Sequence, residues 1–176
     1  MESVAERACV SKMTVYGHFP DKPALLTAVF ERNIAAMRLG ELIERPDLPS
    51  SREELVAFGE RLVAYLTRPD VVTTGRLMAE GAGEHPRLAA AFFAAGPAAV
   101  VGQVAAFLKS LAERRFLVVD DAELAAELMT VSWLGLSPLR QNLGLAGPPT
   151  AEAIARRVRL ATETMLQAWS AARKGE

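Results

Sequence analysis

Along this 176-residue chain, apolar positions recur every three to four residues almost throughout, and the β-branched alternation that a strand needs is scarce. The pattern predicts an all-α fold. An opening helix ends near Ala8, Ser11 offers an N-cap to a second from Lys12 to about Tyr16, and Asp21 caps a longer helix running towards Arg45-Pro46. Leu25, Leu26, Val29, Phe30 and Met37 share one stripe of that helix. Pro46 to Ser51 reads as a linker, with Ser51 capping a helix through Leu55, Phe58, Leu62, Tyr65 and Leu66. Pro69 opens the next helix at its first turn, and Gly81-Ala82-Gly83 ends it.

Pro86 starts a long helix carrying Phe92, Phe93, Val100, Val104, Phe107 and Leu111, with a kink expected at Pro97 and an end around Arg114-Arg115. Asp120 or Asp121 caps a helix that is apolar on nearly every side from Leu124 to Leu136, which marks it as central, and Pro138 is expected to bend or end it. After a loop from Gly144 to Pro149, Thr150 caps a last helix with Ile154, Val158, Ala161, Met165 and Trp169 on one stripe. Arg156, Arg157 and Arg159 lie largely off that stripe.

A hydrophobic content of 51% lets the chain bury a core of its own, divided here into a head of residues 1–45 and a body of residues 51–174. The single cysteine, Cys9, excludes an intrachain disulfide and a multi-cysteine metal cage, so no metal or other cofactor is expected. Met1-Glu2-Ser3-Val4 does not start a secretory signal, which gives a cytoplasmic expectation. Leu88 to Leu108 contains no charged residue, but its alanines and its Gly96-Pro97 break fit a kinked buried helix better than a membrane span. A formal net charge of −1 excludes a uniformly basic nucleic-acid binder, so any DNA contact must be local. An enzyme is disfavoured too. His18 and His85 are far apart, no phosphate loop or dinucleotide fingerprint is present, and Glu80, Glu84 and His85 around Gly81 and Gly83 read as a solvated helix end.

Residues 3–26, SVAERACVSKMTVYGHFPDKPALL, combine an Ala-Glu-Arg-Ala helix end, a Val-Ser cap, a short helix with Tyr16, the aromatic Phe19, and Asp21-Lys22 opening the next helix. This stretch resembles the second half of the TetR-family helix-turn-helix and the start of its connecting helix. The resemblance implies that Lys12, Met13 and Thr14 face base edges in the major groove, and that Tyr16, His18 and Lys22 grip the phosphate backbone. Val10, Val15 and Phe19 read as packing residues. Two departures from the family pattern stand out. Cys9 occupies a turn position where the family commonly has glycine, so a left-handed geometry there stores strain. The resemblance also begins inside the family's second helix. The head is therefore expected to be cut short, through a start codon placed too far downstream or a true short form, with Val4, Leu26 and Phe30 exposed.

In the body, RLMAEGAGEHPRLAAAFFAAGP (76–97) and VDDAELAAELM (119–129) resemble the AefR-like branch of that family. By that resemblance the last two helices pair with their copies in a homodimer, burying Leu128, Val131, Val158, Ala161 and Met165. The other helices enclose an effector pocket with Phe58, Leu62, Tyr65, Met78, Phe92, Phe107, Met129 and Trp133 as candidate lining. Ordinary core packing is the competing reading for each of these eight. Arg76 and Arg140 either orient an anionic ligand group or stand as solvated charges. The function so implied is a ligand-responsive repressor that leaves double-stranded operator DNA when it binds an unidentified small molecule, with no membrane involved. The alternative is a helical dimeric small-molecule-binding protein whose shortened head no longer binds DNA.

Overall fold

Among the described residues, four helices start at side chains that accept hydrogen bonds from otherwise unpaired first-turn N–H groups. The Thr14 amide donates to Ser11 Oγ at 3.0 Å, the Ala24 amide to Asp21 Oδ1 at 2.8 Å, and the Ala153 amide to Thr150 Oγ1 at 3.2 Å. Of the two aspartates offered by the sequence, Asp121 is the cap, accepting from the Glu123 and Leu124 amides at 3.0 Å each. The computed structural model describes residues 1–35 and 48–170. The helices are α1 (Glu2–Arg7), α2 (Lys12–His18), α3 (Lys22–Ala35), α4 (Leu48–Leu66), α5 (Pro69–Glu80), α6 (Pro86–Phe93), α7 (Ala99–Glu113), α8 (Ala122–Leu134), α9 (Ser137–Asn142) and α10 (Ala151–Ala168). A π turn at Ala94–Ala98 lies between α6 and α7. Among the described residues no strand forms, in agreement with the all-α reading; one isolated bridge joins Leu117 and Ser170.

Several details differ from the pattern-based expectation, each for a local reason. α4 starts at Leu48, so Ser51 lies fully buried inside the helix instead of capping it. α8 is ended by Gly135, whose φ of +53° suits a residue without Cβ, and Pro138 then opens α9 at its first turn instead of bending α8. The kink expected at Pro97 takes the form of the π turn. Proline has no N–H to donate and its ring crowds the preceding turn, and the wider π turn accommodates both. The end of the helix from Asp21, Met37 and the first part of the Pro46 linker fall outside the described residues.

The chain divides into two compact units: Met1–Ala36 with Leu77–Ala99, and Met37–Arg76 with Val100–Glu176. In the first, α1 packs on α2, and α3 packs on α6 and the π turn. Among the described residues its buried apolar side chains are small: Ala5, Val15 and Ala95. In the second, α10 packs against α4 and α8, and α4 against α8. Every large, fully buried side chain of the described residues belongs to this unit, led by Trp133, Phe58 and Phe107. Each such side chain contributes about 1.5–3 kcal/mol on burial, so the second unit carries the apolar core.

Three features fix that core. Ile154, Val158, Thr162 and Leu166 recur every four residues on the inner face of α10 and are all buried. Gly59 on α4 lets α10 and α8 come close, since a Cβ there would lie 2.7 Å from Val158 Cγ1 and 3.0 Å from the Trp133 ring. The Trp133 Nε1–H donates to Thr162 Oγ1 at 2.9 Å, and the Phe58 ring meets Trp133 edge-on with centroids 6.0 Å apart. Pro86–Glu113 is long and apolar enough to cross a membrane by length and composition. In this fold its α7 part instead buries Val100, Val104, Phe107, Leu108 and Leu111 in the second unit's core.

Candidate functional site

The turn between α1 and α2 is a Schellman cap. The Val10 amide donates to the Ala5 carbonyl and the Cys9 amide to the Glu6 carbonyl, both at 3.1 Å, and Cys9 sits at φ +53°. The left-handed geometry that makes glycine the easy choice at this position is therefore present, with a cysteine occupying it. Ala5 and Val15 are buried and hold the two short helices together, with Phe19 half-buried beside them. Val10, expected as a packing residue, is 43% exposed, because the cap turns its side chain outward while using its amide.

That packing leaves one face of α2 open. Lys12, Met13, Thr14, Tyr16 and His18 are all exposed, as is Lys22 at the start of α3. Met13 is 84% exposed, an unusual position for a large apolar side chain on a helix already packed through Val15. The Thr14 hydroxyl is engaged with Ser11 Oγ at 2.8 Å. Lys12 Nζ lies 3.3 Å from Glu2 Oε1 in an exposed pair. A pair of this kind is worth at most about 1 kcal/mol, so it does not lock the Lys12 ammonium in place.

In the second unit the eight candidate pocket residues separate by burial. Phe58, Leu62, Phe107, Met129 and Trp133 are at most 1% exposed and fill the core; Tyr65 is half-buried, with the Arg68 guanidinium 5.7 Å from its ring centre. Met78 and Phe92 belong to the first unit, so the eight are not gathered within one unit. A surface cavity of about 520 Å³ is present elsewhere in the second unit, between α8, α9, the loop after α9 and α10. None of the eight lines it. Arg140, singled out from the sequence, does, with Arg156 and Arg157 of α10 beside it and Val63, Ile154 and Leu160 in its wall. Sequence reading missed this cavity because its residues come from four separate segments with no shared periodicity.

The candidate dimer residues also separate. Leu128 and Val131 are 47% and 59% exposed on α8, and Ala161 and Met165 are half-buried on α10. Val158 is fully buried against α4 and so has no surface to offer a second copy. The outward face gains instead Leu124, one turn before Leu128, and Leu160 on α10, at 53% and 64% exposure.

A capped helix-turn-helix with a bare second helix, followed by an all-helical body, is the architecture of a TetR-type transcription regulator. Residues 53–171 match the profile of the family described as "AefR-like transcriptional repressor, C-terminal domain". The flavonoid-responsive regulator FrrA is 30% identical to this chain, with a TM-score of 0.71 over 97% of this chain and 86% of its own. A protein described as a TetR-family transcriptional regulator from Mesorhizobium loti MAFF303099 superposes with a TM-score of 0.77 at 22% identity, covering 96% of this chain and 85% of its own. Among curated proteins no sequence matches. The chain belongs to the TetR family of transcription regulators, in its AefR-like branch, and that family is not one of enzymes.

Proposed function

We propose that this chain is a cytoplasmic, homodimeric, ligand-responsive repressor that binds double-stranded operator DNA through α2 and leaves it when a small molecule binds. The observation that carries the reading is the bare face of α2. Lys12, Met13 and Thr14 stand exposed in its first turn for base edges, and Tyr16, His18 and Lys22 stand exposed for phosphates. A monomer has no internal reason to leave Met13 in water on a packed, capped helix.

Dimer formation through α8 and α10 is supported by the row Leu124, Leu128 and Val131, spaced as one helical stripe and left in water within the chain. Ala161 and Met165 border that face from α10. Two copies so joined must place their α2 helices one DNA turn apart, roughly 34–36 Å, to enter successive major grooves. FrrA responds to flavonoids, which favours a small-molecule effector here as well. Such an effector shifts the population towards release by no more than its differential affinity for the two arrangements. If it enters among Phe58, Leu62, Phe107, Met129 and Trp133, it must part side chains that are fully packed.

Fluorescence anisotropy against DNA flanking the chain's own gene, at two salt concentrations and with competitor DNA, tests the proposal. Specific binding that weakens steeply with salt is expected. Absence of specific binding to any flanking sequence overturns it.

A further inference from the structure

The face proposed for the second copy carries opposite charge at its two ends. Asp120, Asp121, Glu123 and Glu127 stand exposed at and near the start of α8. Asp121 is occupied as the helix cap, but Glu123 and Glu127, one turn apart, form a like-charge pair that a lone helix disfavours. At the far end of α8, Arg140, Arg156 and Arg157 line the cavity bounded by α8, α9, the following loop and α10. The Arg157 guanidinium lies against that end, since a Cβ at Gly135 would collide with it. Among the described residues none of these three arginines has a carboxylate partner, and neither Glu123 nor Glu127 has a cation; Glu152, exposed in the first turn of α10, pairs with none of them. Other arginines of the same unit are neutralised within the chain, Arg68 by Asp70 at 2.7 Å and Arg159 by Glu53 at 3.2 Å.

Between the charged ends runs the apolar row Leu124, Leu128 and Val131, continued past the break at Gly135 by Leu136 and Leu139, which are 60% and 53% exposed. The 13 residues of α8 span about 20 Å, so the two charged ends are well separated on one chain. α10 runs antiparallel to α8 beside this row: Trp133 near the end of α8 donates to Thr162, while Leu117 before α8 bridges Ser170 after α10. Two copies related by a two-fold axis present the same face to each other. If their α8 helices ran parallel, carboxylates would face carboxylates and arginines would face arginines. If they run antiparallel, the acidic end of each copy meets the arginines of the other, twice over. Val131 lies about midway along the chain between Glu123 and Arg140, and between Leu124 and Leu139, so one axis near it matches both the charges and the leucines.

We infer that a second copy of this chain docks with its α8 antiparallel to the first, so that Glu123 and Glu127 of each copy close the arginine-lined cavity of the other against Arg140 and Arg157. The inference rests on the dimer reading above and fixes its orientation. Guanidinium forks match carboxylates with paired, charge-assisted hydrogen bonds. Opposite charges at both ends set the register, and like charges at both ends disfavour the parallel pairing. Leu160 and Ala161 line the cavity and belong to the same face, so the cavity is continuous with the interface that the leucine row defines.

Sedimentation equilibrium of the full chain at low salt tests the orientation without DNA. Glu123→Arg with Glu127→Arg, and separately Arg140→Glu with Arg157→Glu, are each expected to weaken the dimer by about tenfold or more. The chain carrying all four reversals is expected to dimerise within about threefold of the native chain, because each reversed end again meets its opposite. Parallel copies would give a different result, since like charge faces like before and after either reversal. A dimer indifferent to both reversals, or a loss that the fourfold variant does not recover, overturns the orientation and leaves the dimer reading standing. A native chain that sediments as a monomer overturns the dimer reading itself, and the inference with it. If the Arg157→Glu chain does not fold by circular dichroism, Glu123→Arg, Arg140→Glu and their combination, at exposed positions, complete the same cycle.

Discussion

Three Schellman caps among the described residues share one geometry and differ in the residue at the left-handed position. Gly144 follows α9 at φ +68°, Cys9 follows α1 at φ +53°, and Arg115 follows α7 at φ +61°. The same pair of backbone hydrogen bonds closes each turn, at 2.9–3.1 Å. A non-glycine residue there costs about 1–3 kcal/mol, partly offset by the entropy glycine loses on folding. Cys9→Gly is therefore expected to raise stability by about 1 kcal/mol, and Arg115→Gly to act likewise. Calorimetric melting checks this, and no rise in Tm for either would show the turns to be unstrained. In the core, Thr162→Val keeps the shape but removes the acceptor of the Trp133 indole N–H. A loss of about 1–3 kcal/mol is expected, seen as a lower urea midpoint at constant slope.

Helix contacts, more than individual caps, decide which parts of the molecule hold. α10 packs on α4 through the gap at Gly59, where an added methyl would meet Val158 at 2.7 Å. Gly59→Ala is expected to destabilise by about 1–3 kcal/mol despite the better helix propensity of alanine, because overpacking outweighs a propensity gain of roughly 1 kcal/mol. α1 and α2, by contrast, are six and seven residues long and bury only Ala5 and Val15. Helices this short do not persist on propensity alone. Amide hydrogen exchange is accordingly expected to be fast in α1 and α2 and slow in α4, α8 and α10, and specific DNA is expected to slow it in α2. Equal protection in both sets would contradict the core described here.

At the scale of the whole molecule, the regulation proposed here needs two copies of α2 held at a spacing that matches DNA. Leu128→Glu with Val131→Glu places charges in the proposed face while leaving Ala125, Ala126, Met129 and Trp133 in the core. The expected result is a folded monomer by light scattering, with operator affinity lost in parallel. A persisting dimer would move the interface elsewhere. Lys22→Ala is expected to weaken binding to all DNA sequences similarly and to reduce the salt slope by about 1, because a phosphate contact carries no base information.

Much of this protein is legible in its residues taken in order. The periodicity, the caps at Ser11, Asp21 and Thr150, the choice between Asp120 and Asp121, and the YGHFPDK stretch after Ser11 are local signals, because helix starts and turns depend on neighbours within a few positions. The left-handed geometry that the family resemblance raised for Cys9 is present, at φ +53°. Folding decided what depends on distant partners. Val158, on the stripe expected to meet a second copy, lies buried against Gly59, and Thr162, ordinary in sequence, accepts the one hydrogen bond that the buried indole can donate. α8 is apolar on nearly every side, so periodicity alone could not tell its core side, with Met129 and Trp133, from its open side, with Leu128 and Val131. The arginine-lined cavity arose in the same way, because Arg140 and Arg157 line it together only once α9 and α10 have folded.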